Sequence, residues 1–107
     1  MIFPMNPALL ELLLLSIIQE EDSYGYQIGQ KLKCISELKD SSLYPILKRL
    51  SDENQLEIYD RQFQGRNRKY YHLTETGEER LILLRQAWNE YTRAVNEILC
   101  REGLKDE

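Results

Sequence analysis

One stretch near the amino terminus constrains this chain more than any other. From Ala8 to Ile18 almost every residue is apolar, and only Glu11 and Ser16 interrupt the run. Asn6 and Pro7 precede it and favour a helix start, because Asn caps free amides and Pro fits the first turn. The run is too short to cross a bilayer. A helix that is apolar on every side must be covered on every side, so the run predicts a partner chain.

Composition narrows the class of protein. A chain of 107 residues that is 42% apolar and 30% charged fits one folded domain and excludes membrane, collagen-like and disordered chains. Two cysteines and one histidine supply neither a disulfide framework nor a zinc site unless carboxylates join, and we expect no metal and no cofactor. Free thiols, with no signal peptide or transmembrane segment, predict a cytoplasmic protein.

The charges are unevenly distributed. The net charge is −4, which argues against unselective nucleic-acid binding. Only the middle third, residues 40–73, has a positive balance, and residues 61–71 hold no acid. The cations of that segment are Arg61, Arg66, Arg68 and Lys69. The sequence also lacks a phosphate-binding loop, a His–carboxylate pair and a nucleophile motif, so we expect no catalytic residues.

Two short helices are predicted next. Apolar residues at helical spacing from Tyr24 to Ile35 indicate the first, with Asp22 or Ser23 as its cap. The second should start at 40–42, where cap-forming residues precede a proline. Its apolar face comprises Leu43, Leu47 and Leu50, and its outer face is polar and partly basic.

A hairpin and a long helix complete the chain. Leu56–Tyr59 predicts one strand, 62–67 the tip and Arg68–Leu73 the other strand, with one of Tyr70 and Tyr71 in the core and the other facing out. The helix after Thr74 should run to about Cys100, with residues 101–107 fraying. Its apolar residues repeat with a period of 3.5, typical of a helix packed along another helix. They are Leu81, Leu84, Trp88, Tyr91, Val95 and Ile98.

Three helices, a basic hairpin and a long helix form the order of a winged helix-turn-helix, a mainly α fold with a small β-hairpin and here a long C-terminal dimerisation helix. The polar third helix can enter the major groove of DNA. The hairpin, or wing, can place its cations against neighbouring phosphates.

Three segments resemble the PadR family of bacterial transcriptional regulators. They are Tyr24-Gly25-Tyr26-Gln27-Ile28, then 42–50 with its Leu-Tyr-Pro motif, and 65–74 with its Arg-x-Arg-Lys-Tyr-Tyr-x-Leu-Thr motif. The resemblance covers about residues 5–100. Ser41-Ser42 replaces the Gly-Thr common in the family, and Asn67 replaces a proline between the wing arginines. The first departure could alter which bases are read, but neither threatens the fold.

The resemblance implies a winged-helix DNA-binding domain over 1–73 and a dimerisation helix over 74–107. It implies a homodimer that exchanges its first and last helices and binds a near-palindromic double-stranded operator as a repressor. We expect the DNA contacts to come from Ser41, Ser42, Tyr44, Pro45, Lys48, Arg49, Arg66, Arg68 and Lys69.

The single C-terminal helix resembles the branch of the family that responds to drugs. This implies that a small aromatic or drug-like effector stacks on Trp88 between the subunits and releases the DNA. We place Leu12, Leu15 and Tyr91 at the same site.

Several alternatives stay open. Tyr44 could pack within the domain while Lys48 is merely solvated, and Trp88 fits a dimer core as well as a ligand site. The acidic net charge also permits a winged-helix module that binds another protein and no DNA.

Overall fold

Four helices and three strands follow one another in the computed structural model, which describes residues 3–36 and 38–100. They are α1 (Pro7–Glu20), β1 (Ser23–Tyr24), α2 (Gly25–Leu32), α3 (Asp40–Asp52), β2 (Leu56–Phe63), β3 (Arg66–Leu73) and α4 (Glu75–Leu99). The predicted fold class is confirmed. The predicted fraying of 101–107 lies outside the described residues.

The apolar run forms α1 and occupies the centre of the core. Asn6 Oδ1 accepts a hydrogen bond from the Leu9 N–H at 2.8 Å, as its predicted role as cap requires. Buried side chains from every helix and from β2 and β3 meet around α1. The core comprises Leu10, Leu12, Leu14, Leu15, Ile18, Ile28, Leu32, Leu43, Leu47, Leu50, Leu56, Tyr71, Leu73, Leu81 and Leu84.

The sheet has one strand more than the predicted hairpin. Its order is β1–β3–β2, and both pairings are antiparallel. The two residues of β1 pair with Tyr71 and Tyr70 on β3. The start of α2 is therefore tied to the wing by backbone hydrogen bonds.

The wing is also longer than the sequence predicted. Its strands extend to Phe63 and from Arg66, so the tip is the two-residue turn Gln64-Gly65 and not the wider loop expected over 62–67. Both turn residues have positive φ, 51° and 78°. This is the backbone of a type I′ turn, whose twist matches that of the paired strands.

Of the two central tyrosines of β3, one faces the core and the other faces away from it, as predicted, but the outward-facing ring is covered and not exposed. Tyr70 and Tyr71 lie on opposite faces of the sheet, yet each is only 5% exposed. Tyr71 enters the core. Tyr70 is covered by the rings of Tyr24 and Tyr59, at centroid distances of 5.4 and 5.7 Å, so the outer face carries an aromatic cluster of its own.

The predicted cap of α2 is wrong. Tyr24 is the N-cap, and its N–H donates to Gln27 Oε1 at 3.3 Å. Asp22 instead accepts a hydrogen bond from the Tyr59 hydroxyl at 2.7 Å and lies 2.8 Å from His72 Nδ1. Ser23 is buried and donates to the carbonyl of Glu21.

The long helix α4 begins at the predicted cap. Thr74 Oγ1 accepts from the Gly77 N–H at 3.0 Å. Gly77 lies so close to the Gln55 carbonyl that a Cβ would overlap it. The 25 residues extend roughly 37 Å. Gly77, Leu81 and Leu84 are buried against the core, whereas most residues after Leu84 are exposed, and the subunit is 65 Å long.

Candidate nucleic-acid interface

A groove of about 600 Å³ opens between the start of α2, the first half of α3 and the wing. Cations, tyrosines and one amide line it, and no carboxylate does. The lining residues are Tyr24, Gly25, Tyr26, Tyr44, Arg66, Asn67, Arg68 and Lys69. Four of the predicted DNA-contacting residues (Tyr44, Arg66, Arg68 and Lys69) thus come together in one place.

Close packing of Tyr44 on α2 shapes the floor of this groove. A Cβ added to Gly25 would overlap the Tyr44 hydroxyl and approach the ring carbons to 2.7 Å. Tyr44 nevertheless stays 44% exposed. The ring therefore packs within the domain and presents its edge to the groove, so the packing and binding interpretations are compatible.

The outer face of α3 is exposed and polar. Ser41, Ser42, Pro45 and Lys48 all lie there. Pro45 is the sixth residue of the helix and has no N–H, so the Ser41 carbonyl lacks its usual helical donor. Lys48 Nζ pairs with Asp52 at 3.0 Å, but both side chains are largely exposed, and such pairs contribute under about 1 kcal/mol. Lys48 is thus available to a phosphate.

Arg49 is placed apart from this face. Its guanidinium lies 3.5 Å from Glu11 of α1 and 3.1 Å from Glu53. The structure therefore does not bring Arg49 together with the other predicted DNA contacts.

The wing cations differ in the contacts that their side chains make within the protein. The Arg68 guanidinium lies 4.4 Å from the centroid of Tyr24 and 4.9 Å from that of Phe63, stacked between the two rings. Lys69 lies 3.7 Å from an Asp60 carboxylate oxygen. Among the described residues Arg66 has no ion pair. Arg61 and Arg68 also lack an ion pair among the described residues, but both lie over aromatic rings, so Arg66 is the wing arginine that the protein itself engages least.

A second candidate site lies along the projecting half of α4. Two apolar cavities of about 520 and 260 Å³ share Trp88 and Tyr91 in their walls, and the two ring centroids are 6.2 Å apart. Leu12 lines the smaller cavity. Leu15 is fully buried in the core and lines neither, so three of the four predicted ligand residues come together.

One known protein family matches more than half of this chain. The model of the transcriptional regulator PadR-like family matches residues 14–82, which hold α2, α3 and the wing. The chain belongs to the PadR-like family of transcriptional regulators.

Crystal structures agree with that membership. A protein from Streptococcus mutans UA159 is 44% identical to this PadR-like chain, with a TM-score of 0.88 and coverage of 92% of this chain and 93% of that one. A PadR family transcription regulator from Clostridium difficile R20291 is 35% identical, with a TM-score of 0.76 and coverage of 83% and 96%. A PadR-like transcriptional regulator from Bacillus cereus is also 35% identical, with a TM-score of 0.78 and coverage of 84% and 90%.

Sequence reasoning missed two parts of the interface in this PadR-like chain. Tyr26 stands exposed at the start of α2 and lines the groove, as does Asn67 of the wing. The tyrosines around Gly25, at a break between helices, were the available signal.

The sequence marks Glu11 only as an interruption of the apolar run, whereas its carboxylate is buried and accepts a hydrogen bond from Arg80 at 2.9 Å. That hydrogen bond raises the pKa of Arg80.

Within residues 3–36 and 38–100 no helix is long and apolar enough to cross a membrane. The same residues hold no cluster of three His, Cys, Asp or Glu side chains placed to bind a metal ion.

Proposed function

We propose that this PadR-like chain is a cytoplasmic, homodimeric repressor that binds a near-palindromic double-stranded operator and releases it when a small planar ligand binds. The groove carries this proposal. It brings together Tyr44 of α3, the start of α2 and three cations of the wing.

The charge of the groove supports an anionic partner despite the acidic chain. Three cations and no carboxylate line it, whereas the whole protein has a net charge of −4. Phosphates would meet Arg66 and Lys69 at the wing while α3 lies in the major groove. The negative remainder repels DNA from other faces, so binding is confined to one orientation.

The dimer is proposed from the surface of α4. Trp88, Tyr91 and Ile98 continue the apolar face of the helix and are 40%, 64% and 62% exposed in the single subunit. Removing that surface from water on α1 and α4 of a second copy is favourable. A symmetric pair would also present two grooves to the two halves of a palindrome.

Ligand release is proposed from the two cavities that share Trp88 and Tyr91. A planar aromatic molecule could stack on the indole there, between the helices that join the subunits. For release, the ligand must have a lower affinity for the dimer arrangement that fits DNA and a higher affinity for the other arrangement. The ligand would contact residues of α1 and α4, so a difference in its affinity for the two arrangements would arise from those contacts.

Fluorescence anisotropy on the DNA upstream of the protein's own gene tests the proposal. We expect tight binding to that duplex, weak binding to a scrambled duplex, and an affinity that falls steeply with salt because each neutralised phosphate contributes about 0.9 to the log–log slope. Equal and weak binding to both duplexes, with no salt dependence, would instead favour a winged-helix module that binds another protein.

A further inference from the structure

The carboxylate of Glu11 lies where three helices meet. It belongs to α1, and its side chain is 6% exposed. One oxygen accepts a hydrogen bond from Arg80 Nε of α4 at 2.9 Å, and the other lies 3.5 Å from Arg49 Nη2 of α3. A buried charge is costly unless it is paired and hydrogen-bonded. The three residues therefore act as one unit.

The end of α3 is held on a second side as well. Arg49 Nη1 donates to both oxygens of Glu53 at 3.1 and 3.2 Å, and Gln55 Nε2 donates to Glu53 at 3.0 Å. Arg49 thus bridges a buried carboxylate on α1 and a half-exposed carboxylate just after α3. A planar guanidinium between two carboxylates fixes direction as well as distance.

This bridge differs in kind from the other contacts of α3. Among the described residues, the Arg49–Glu11 pair is the only ion pair or side-chain hydrogen bond that joins α3 to α1 or α4. The remaining contacts of α3 with the core are made by apolar side chains, namely Leu43, Ile46, Leu47 and Leu50. Apolar packing also constrains the rotation and tilt of α3, but within the described part of the chain only this bridge adds a charged, directional link from α3 to α1 and α4.

We propose that Glu11 is a positioning residue that sets the orientation of α3 on the helices of the dimer, and with it the operator half-site spacing that the dimer accepts. The inference rests on the proposed function. Buried ion triads are often no more stabilising than apolar side chains of the same volume. These three charges link α3, the proposed DNA-binding helix, to α1 and α4, the proposed dimer helices. Orienting α3 is therefore a role for them that does not depend on a gain in stability.

Distance measurements between the two copies of α3 test the positioning directly, without DNA. A spin label is placed at Lys48→Cys in a Cys34→Ser, Cys100→Ser background, and pulsed dipolar spectroscopy gives the label-to-label distance distribution in the dimer. Glu11→Gln keeps the side-chain size and removes the charge, and we expect it to broaden the distribution or shift its maximum. The matched control is Glu21→Gln, which removes an exposed pair with Lys31 and should leave the distribution unchanged.

Operator spacing supplies the second readout. Palindromic duplexes are selected from a random library by the unaltered protein and then remade with the half-sites moved closer or farther by single base pairs. We expect Glu11→Gln to reduce the preference for the selected spacing roughly tenfold, the change associated with removing one charge-assisted hydrogen bond. Glu21→Gln should keep that preference.

The outcomes separate the two proposals. A lower unfolding temperature with unchanged distances and spacing preference would show that Glu11 is only structural and would overturn the inference. If Glu11→Gln does not fold, Arg49→Met removes the link from α3 while Arg80 still pairs with Glu11, and the distances then decide. If the unaltered protein selects no duplex, the proposed function fails, but the distances still test the positioning. A monomeric protein overturns both.

Discussion

Arg66 and Arg68 point to the same side of β3, yet their surroundings suit Arg68 to packing the wing and Arg66 to binding a phosphate. Neither has an ion pair among the described residues, but Arg68 is half-buried against the rings of Tyr24 and Phe63, whereas Arg66 is exposed. Cation–π contacts are worth about 0.5–2 kcal/mol, so Arg68 helps to hold the wing against the start of α2. The sequence motif marks both arginines equally, and only the packing separates them.

Arg66→Ala should therefore weaken operator binding without loosening the fold. We expect the log–log salt slope to fall by about 0.9 for each phosphate that the variant no longer neutralises, with an unchanged unfolding temperature. Arg68→Ala should lower both the affinity and the unfolding temperature. Anisotropy and calorimetry measure the two effects, and Lys33→Ala, an exposed cation outside the groove, is the control. Equal binding by the Arg66 and Lys33 variants would contradict the wing's role.

Asp22 should give the fold a defined pH dependence. Partial burial raises the pKa of Asp22, but hydrogen bonds from Tyr59 and His72 outweigh it and bring the pKa below its ordinary value of 3.8. A carboxyl whose pKa is lowered by folding stabilises the fold above the unfolded value, and this contribution is lost as pH falls through the folded value. The stabilising charge is thus complete near neutral pH.

Asp22→Asn should accordingly be less stable than the unaltered protein near pH 7, with the gap closing below about pH 4. Urea unfolding across that range measures it. Asp52→Asn removes only an exposed pair and is the control. A stability gap that stays constant through the acid range would show that the Asp22 charge is not what matters.

Local signals explain which elements the sequence could predict. The starts of α1 and α4 follow from the caps Asn6 and Thr74, and α3 starts within the predicted range although its N-cap is Lys39, without a side-chain hydrogen bond, and not one of the polar residues 40–42. The two-residue β1 has no such signal, because it exists only through its pairing with Tyr70 and Tyr71, far along the chain. The burial of Tyr70 and the pairing of Glu11 with Arg80 depend on the same long-range geometry. The sequence predicted the cations of the groove, Arg66, Arg68 and Lys69, but it did not predict that the start of α2 forms one wall.

The two glycines of α2 offer a matched test of how α2 and α3 pack. Gly25→Ala should push the Tyr44 ring out of position and lower DNA affinity, since the new Cβ would overlap the hydroxyl. Gly29→Ala meets only Leu43 at 3.9 Å and should stabilise the helix by up to about 1 kcal/mol with unchanged affinity. Thermal unfolding and anisotropy follow both. Equal affinities in the two variants would remove Tyr44 from the interface.

The projecting face of α4 should be the dimer contact. Val95→Asp would place an unpaired charge in it and should convert the dimer to a monomer of 12.8 kDa, because burying such a charge is costly. Asn89→Asp adds the same charge on another side of the helix and should stay dimeric. Light scattering at micromolar concentration distinguishes them. A dimeric Val95→Asp protein would refute this face as the interface.

The proposed release of DNA by a ligand requires the cavities beside Trp88 and the groove to be coupled. The cavities beside Trp88 lie on the projecting half of α4, whereas the groove lies across α2, α3 and the wing. The chain holds a single tryptophan beside seven tyrosines, so fluorescence excited selectively at tryptophan reports on the cavities. A ligand there would contact α1, α4 and Ile35, which lies between α2 and α3, and could reach the groove through any of them.

Trp88→Ala should thus weaken the binding of planar aromatic dyes more than it weakens DNA binding without ligand, because only the dye stacks on the indole. Dye affinity is measured by the dye's own emission, since the variant has no tryptophan signal. Equal reductions of dye and DNA affinity would mean that Trp88 is only a core residue of the dimer.

The third strand ties two walls of the groove together. Because β1 runs directly into α2 and is hydrogen-bonded to β3, the start of α2 is held to the wing by backbone hydrogen bonds. A duplex that does not match the groove must then bend or change its groove width itself, at an energy that depends on its base steps. Base pairs that no side chain touches would influence the choice of operator through their flexibility.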